Sequence, residues 1–172
     1  MSPMPAVVVD SSVLISLAAG EQFQLLRAFY STIYIPPEVW NEIASAQKMF
    51  GETECRKARE EGWLIIRSPR QLAPILALPF SLQAGEIHAL ALALELPDSL
   101  LLVDDAQGRR AAQTLGIPYT GTLGVLLRAK AERKLSSLRS VLDLLKERTT
   151  FWLGKDVYEA ALKQTGETEP AS

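Results

Sequence analysis

Two apolar runs in this chain end in acid. Residues 7–10 read VVVD and residues 100–105 read LLLVDD. Such runs show no alternation of polar and apolar residues, so they read as strands buried on both faces. That requirement points to a parallel sheet with helices on either side. It also poses a problem, because Asp10, Asp104 and Asp105 stand at the ends of buried strands. Carboxylates there are costly to desolvate unless something neutralises them.

The rest of the chain supplies the covering helices. After VVVD comes SSVLISLAAG, a helix with Ser11 or Ser12 as its expected cap and Gly20 as its stop. EQFQLLRAFY reads as a second short helix and TIYIPP as a strand broken by Pro36 and Pro37. PEVWNEIASAQKMF and ETECRKAREEG follow as helices, then WLIIRS as a strand. RQLAPILALPF is a proline-interrupted connector, and SLQAGEIHALALALEL is a helix with Ile87, Leu90, Ala91 and Leu94 on one stripe. Beyond LLLVDD, AQGRRAAQTLG is a helix and IPYTG a short strand or turn. TLGVLLRAKAERK is a helix with Thr122 as its expected cap, LSSLRSVLDLLKER and GKDVYEAALKQTG are closing helices, and ETEPAS is expected to fray. Strands alternate with helices throughout, which predicts an α/β fold with a covered parallel sheet. A length of 172 residues suits one domain spanning 1–172.

Composition narrows the class. Hydrophobic residues make up 48% and charged residues 22%, which is the balance of a folded domain rather than a disordered one. No apolar run reaches membrane-spanning length, and MSPMPAVVVD lacks the pattern of a secretory signal. Cys55 is the single cysteine, so neither a disulfide framework nor a thiolate zinc site is available. A soluble, cytoplasmic protein with no membrane partner is the expectation. The net charge of −2 argues against nonspecific coating of nucleic acid, but the charge is unevenly spread. Residues 109–155 hold ten basic side chains against three acids, whereas residues 1–105 hold thirteen of the twenty acids.

Sites in open parallel sheets lie at the carboxyl ends of the strands. Asp10, Asp104 and Asp105 are placed there, and Glu42 and Glu86 fall early in helices that open near the same rim. Acids crowded in one cleft repel and raise one another's pKa. A hard divalent cation, Mg²⁺ or Mn²⁺, relieves that conflict and prefers oxygen ligands. Read singly, Glu42 and Glu86 could equally be a helix cap or a surface charge, a reading that fits Asp10 and Asp104 less well because they stand at buried strand ends. Other chemistries fare poorly. His88 is the single histidine and reads as a partly buried structural residue, and there is no nucleophile elbow or P-loop. Few and scattered aromatics disfavour a base-stacking platform.

The blocks VVVDSSVLISLA, IPPEVWNEI, GEIHALALALEL, LLLVDDAQGRRAAQTLGI and TGTLGVLLRAK, in that order, resemble the PIN domain (PilT N-terminus), and within it the prokaryotic branch related to VapC-type toxins. The resemblance spans about residues 6–135 and leaves 136–172 as a C-terminal helical extension. It implies a three-layer α/β/α sandwich with a central, mainly parallel sheet. It further implies metal-dependent ribonuclease chemistry, the metal being Mg²⁺ or Mn²⁺. The family's acidic quartet maps onto Asp10, Glu42, Glu86 and Asp104, with Asp10, Glu86, Asp104 and the adjacent Asp105 as metal ligands. Arg109, Arg110 and Ser11 become substrate contacts, and the basic stretch 109–139 a seat for phosphate backbone. Many PIN domains carry Thr or Ser just before the later strand's acid. Here that stretch is LLLV, so a hydroxyl contact is missing at that position. RNA is the implied partner, with an antitoxin protein and a second copy of the chain as further expectations. A non-catalytic PIN module that binds RNA or protein is the alternative. A phosphoryl receiver or dehalogenase-like enzyme fits less well, because Ser12 stands where the latter needs an acid.

Overall fold

A computed structural model describes residues 4–45 and 50–167. In chain order the elements are β1 (Val7–Val9), α1 (Ser11–Ala19), α2 (Gln24–Tyr30), β2 (Ile33–Ile35), α3 (Pro37–Ser45), α4 (Glu52–Glu60), β3 (Leu64–Ile66) and α5 (Ala73–Leu76). There follow α6 (Ala84–Glu95), β4 (Leu100–Leu102), α7 (Ala106–Thr114), β5 (Tyr119–Thr120), α8 (Thr122–Ala131), α9 (Leu138–Arg148) and α10 (Lys155–Gln164). The strands form one sheet in the order β3-β2-β1-β4-β5. Every pairing is parallel, so the expected covered parallel sheet is what forms.

The strand register explains the uninterrupted apolar runs. Successive strand residues point to opposite faces. Val7, Val9 and Leu102 enter one buried cluster, with α1, α2, α3, α8 and α9 against it. Val8, Leu101 and Val103 enter a second cluster, covered by α5, α6 and α7. A helix layer on each face of the sheet makes the three-layer α/β/α sandwich.

The closing helices complete the first of these clusters. Leu138, Val141, Leu142 and Leu145 of α9 and Ala161 and Leu162 of α10 are buried in it. Gly20, at the end of α1, lets α9 come close, since a Cβ there would lie 3.0 Å from Val141.

Four local expectations need correction or limits. The connector 70–80 contains a real turn of helix, α5, with Pro74 in its first turn where the missing N–H costs nothing. The continuation of α3 through 46–49 lies outside the described residues. Residue 167 does not fray: Glu167 accepts hydrogen bonds from the N–H groups of Leu138 and Arg139 at 2.7 and 3.2 Å and closes the start of α9. The remaining tail, 168–172, lies outside the described residues. Finally, neither Ser11 nor Ser12 caps α1 and Thr122 does not cap α8. The flanking positions are Asp10 and Gly121, and all three hydroxyls serve other groups. Among the described residues no helix is long and apolar enough to cross a membrane.

Candidate active site

The sheet reverses its winding direction between β1 and β4, and ligand sites in open α/β sheets lie in the crevice at such a point. Asp10 follows β1 and Asp104 follows β4 by two residues, on this same edge. The Asp10 N–H donates to the Leu102 carbonyl at 2.9 Å, which extends the β1–β4 pairing to the first acid. Asp10 is 3% exposed, and its Oδ1 is buried without a hydrogen-bond partner among the described residues. Its Oδ2 accepts a bond from the Ser12 hydroxyl at 3.2 Å. Burial pushes the carboxyl up to about 6, the Ser11 N–H opposes that rise, and the charges of Glu42 and Asp104 add to it.

The other acids close around Asp10 from α3, from α6 and from the connection between β4 and α7. Glu42 on α3 accepts a 2.5 Å hydrogen bond from the Ser11 hydroxyl. Its carboxylate fills the space over Gly85 where any Cβ would stand. Gly85 therefore lets α6 pass close to α3, and it immediately precedes Glu86. The Glu86 carboxyl is raised to about 7, first by burial and then by the charges of Asp105, Asp10 and Glu42. Asp104 lies against α8. Its Oδ1 accepts from the Thr122 N–H and its Oδ2 from the Thr122 hydroxyl, both at 2.7 Å. Burial raises its pKa against those two bonds and against Arg109, whose guanidinium lies 3.8 Å away. Asp105 caps α7 by accepting from the Gly108 N–H at 2.9 Å, while its charge reaches Glu86.

Asp10, Glu42, Glu86, Asp104 and Asp105 thus act on one another electrostatically at one edge of the sheet. Each is also turned toward a nearby donor where one exists, which is how like charges are accommodated side by side. Among the described residues no group of three or more such side chains is arranged to hold a metal ion as it stands. The donor chemistry itself suits a hard divalent cation: oxygen donors only, with one buried carboxylate oxygen lacking any partner.

The basic residues divide differently from expectation. Arg109 is at the site, its Nε donating to the Val103 carbonyl at 3.1 Å. Arg110 is exposed on α7, and among the described residues no ion pair joins it to the acids. Farther on, three residues of the expected phosphate seat also make contacts within the fold. Arg128 pairs with Glu132 at 2.6 Å and lies over the Phe29 ring. Lys130 pairs with Glu167 at 3.0 Å, and Arg139 donates to the Glu167 carbonyl at 3.2 Å. His88 is tied between the Ala84 carbonyl, 2.8 Å from Nδ1, and Glu38, 3.5 Å from Nε2.

Sequence reading missed Gly85, Gly121 and Thr122. LLLV itself offers no hydroxyl, and the hydroxyl that reaches Asp104 comes from Thr122 at the start of α8. The helix start at Thr122 is where the sequence places it, but nothing local tells which way the Thr122 hydroxyl points.

Among curated proteins, none matches the chain. A family model described as PIN domain matches residues 6–167, nearly the whole length and every element that carries these acids. With its all-parallel sheet, its helices on both faces and that match, the chain belongs to the PIN domain family, whose fold is of nuclease type.

Proposed function

We propose that this protein is a metal-dependent nuclease that hydrolyses phosphodiester bonds in RNA. The observation that carries the reading is Asp10 Oδ1. It is a buried carboxylate oxygen with no partner among the described residues, at the switch point of the sheet, with Glu42, Glu86 and Asp104 acting on the same cleft. Leaving such an atom unmatched costs stability, and a cation is what relieves it. Asp10, Glu86, Asp104 and Asp105 are the residues to hold Mg²⁺ or Mn²⁺. When bound, such an ion supplies Lewis acidity toward phosphate and water.

The chain's own groups divide the remaining work. Glu42, fixed by Ser11, sets the charge at the centre of the cleft. Glu86, raised to about 7 by burial and by the neighbouring acids, gives up its proton when a cation takes its place among them. Arg109 is half-exposed and offers its outer N–H groups to a phosphate beside Asp104. Ser11 is buried and committed to Glu42, so it supports an acid rather than touching substrate.

Cleavage assays on single-stranded RNA, structured RNA and single-stranded DNA, in Mg²⁺, Mn²⁺ and EDTA, test the reading. RNA cleavage that EDTA stops and Asp10→Asn abolishes is the expected result. RNA binding without cleavage under every metal condition supports instead a non-catalytic module. A toxin role belongs to the same proposal. Growth arrest on expression, relieved by Asp10→Asn, is its test.

A further inference from the structure

We propose that Thr122 is a positioning residue for Asp104, fixing the carboxylate that Mn²⁺ or Mg²⁺ meets; this rests on the nuclease reading above. Thr122 is fully buried, and it uses both of its donors on one side chain. Its N–H reaches Oδ1 and its hydroxyl reaches Oδ2, each at 2.7 Å. A carboxylate gripped at both oxygens by one residue cannot turn about its terminal bond without breaking both contacts. This is not the role of a threonine at a helix start, where the hydroxyl accepts from a backbone N–H. Here it donates, and the acceptor is an acid 18 residues earlier.

The surroundings hold this grip in place. Gly121 has no room for a side chain, because a Cβ there would run into Asp104 Oδ1, the Arg109 guanidinium and the Val103 carbonyl. Gly124 is likewise closed by the Thr120 side chain, which seats the first turn of α8 against β5. The start of α8 is therefore pressed onto Asp104 by backbone contact, and Thr122 is the point of contact. Ionised carboxylates have about four lone-pair sites. Two are taken by Thr122, which leaves the others aimed in fixed directions. Groups that orient a ligand in this way are worth about 10- to 100-fold in metal affinity or activity.

The test measures Mn²⁺ affinity by calorimetry and cleavage of a single-stranded RNA probe, using the full chain. Thr122→Val removes the hydroxyl and keeps the shape. Thr122→Ser restores the hydroxyl. Ser99→Ala removes another buried hydroxyl, one that donates to the Ala93 carbonyl ahead of β4, at the opposite edge of the sheet. The expected result is Mn²⁺ affinity about 10- to 100-fold weaker in Thr122→Val, with Thr122→Ser near wild type. Ser99→Ala is expected to lower the melting temperature and leave Mn²⁺ affinity alone. Should Thr122→Val fail to fold, Thr122→Ala, which admits water beside Asp104, takes its place. Wild-type affinity in the hydroxyl-free variant overturns the proposal, as does an equal loss in Thr122→Ser or in Ser99→Ala. A wild-type chain that binds no Mn²⁺, or an Asp10→Asn chain that binds it equally well, defeats the nuclease reading first and this inference with it.

Discussion

Glu167 and Asp10 are both acids held near the start of a helix, and the fold treats them in opposite ways. Glu167 is surrounded by donors: the N–H groups of Leu138 and Arg139, the Ser137 hydroxyl at 3.2 Å and the Lys130 ammonium at 3.0 Å. Burial works to raise its pKa, but the Leu138 N–H, Lys130 and the Arg139 N–H outweigh it and hold it at about 2. Asp10 has one oxygen unmatched among the described residues and other acids beside it, and its pKa rises to about 6. An acid that serves the fold is given enough hydrogen-bond donors. An acid kept short of donors costs stability, and its retention has to be explained by something outside the fold's own contacts.

The largest expected difference between the two is in activity. Asp10→Asn should reduce metal-dependent cleavage by about a hundredfold or more. Glu167→Gln should leave the rate per folded molecule unchanged. The same pair separates in melting experiments. At an Mn²⁺ concentration a hundred times its Kd, a ligand that binds only the folded chain adds about 2.7 kcal/mol. Wild type and Glu167→Gln should both show that rise, and Asp10→Asn should not. Equal responses in all three would erase the contrast.

Stability against pH should show two limbs of opposite sign. Asp10 and Glu86 have folded pKa values raised to about 6 and about 7, so the folded state holds more protons than the unfolded chain between pH 4 and 7. Their favourable contribution is complete below the unfolded values near 4 and is lost as pH rises through about 6 and 7. For Asp10 alone the change is on the order of 3 kcal/mol. Glu167 runs the other way. Its contribution is present above its unfolded value and is lost as pH falls toward 2. Urea unfolding measured from pH 2 to 8, in the absence of divalent ions, should therefore show a maximum near pH 4 to 5. Asp10→Asn should flatten the descending limb, and Glu167→Gln the ascending one, at a cost of about 1 kcal/mol at pH 5. A wild-type profile that does not fall as pH rises through about 6 and 7 contradicts the raised site acids.

What the sequence revealed of this comparison follows from the range of each interaction. VVVD and LLLVDD carry their own signal, because burial on both faces needs consecutive apolar residues and the acids directly follow them. That the segments carrying Glu42 and Glu86 are helices was legible for the same local reason, but the apolar stripe on the second was not: Leu94 is 40% exposed, and Ala89, Leu92 and Ala93 are buried beside Leu90 and Ala91. Asp104 and Thr122 meet across 18 residues, and Leu138 and Glu167 across 29, so no window of sequence contains either pair. Arg128, Lys130 and Arg139 look like a phosphate-binding stretch when counted along the chain. In three dimensions they also meet Glu132, Phe29 and Glu167, contacts that no count along the chain reveals. Gly85 and Gly121 read as ordinary glycines because the atoms that require them, on Glu42, Asp104 and Arg109, come from elsewhere.

The smallest expected effect belongs to Arg109, the one basic residue at the boundary between the two kinds of role. Its Nε is fixed on the Val103 carbonyl, and its guanidinium stands 3.8 Å from Asp104, beyond a direct hydrogen bond. Asp104 already has both oxygens on Thr122, so removing Arg109 does not strand it. The Asp104 pKa stays raised in spite of the arginine, which marks Arg109 as a weak counter-ion. At 40% exposure such a pair is worth under about 1 kcal/mol, and Arg109→Ala should change stability by no more. Its effect should appear in RNA binding instead. Affinity should weaken about equally for all sequences, and the slope of binding against salt should fall by about 1, as for one lost phosphate contact. If Arg109 instead exists to neutralise Asp104, Arg109→Ala should be clearly unstable. Adding Asp104→Ala to it should then restore stability, because the unpaired charge is gone. Melting curves for the two single variants and the double variant, beside salt titrations of RNA binding, separate these outcomes. The geometry predicts no restoration, because Thr122 and not Arg109 is what keeps Asp104 in place.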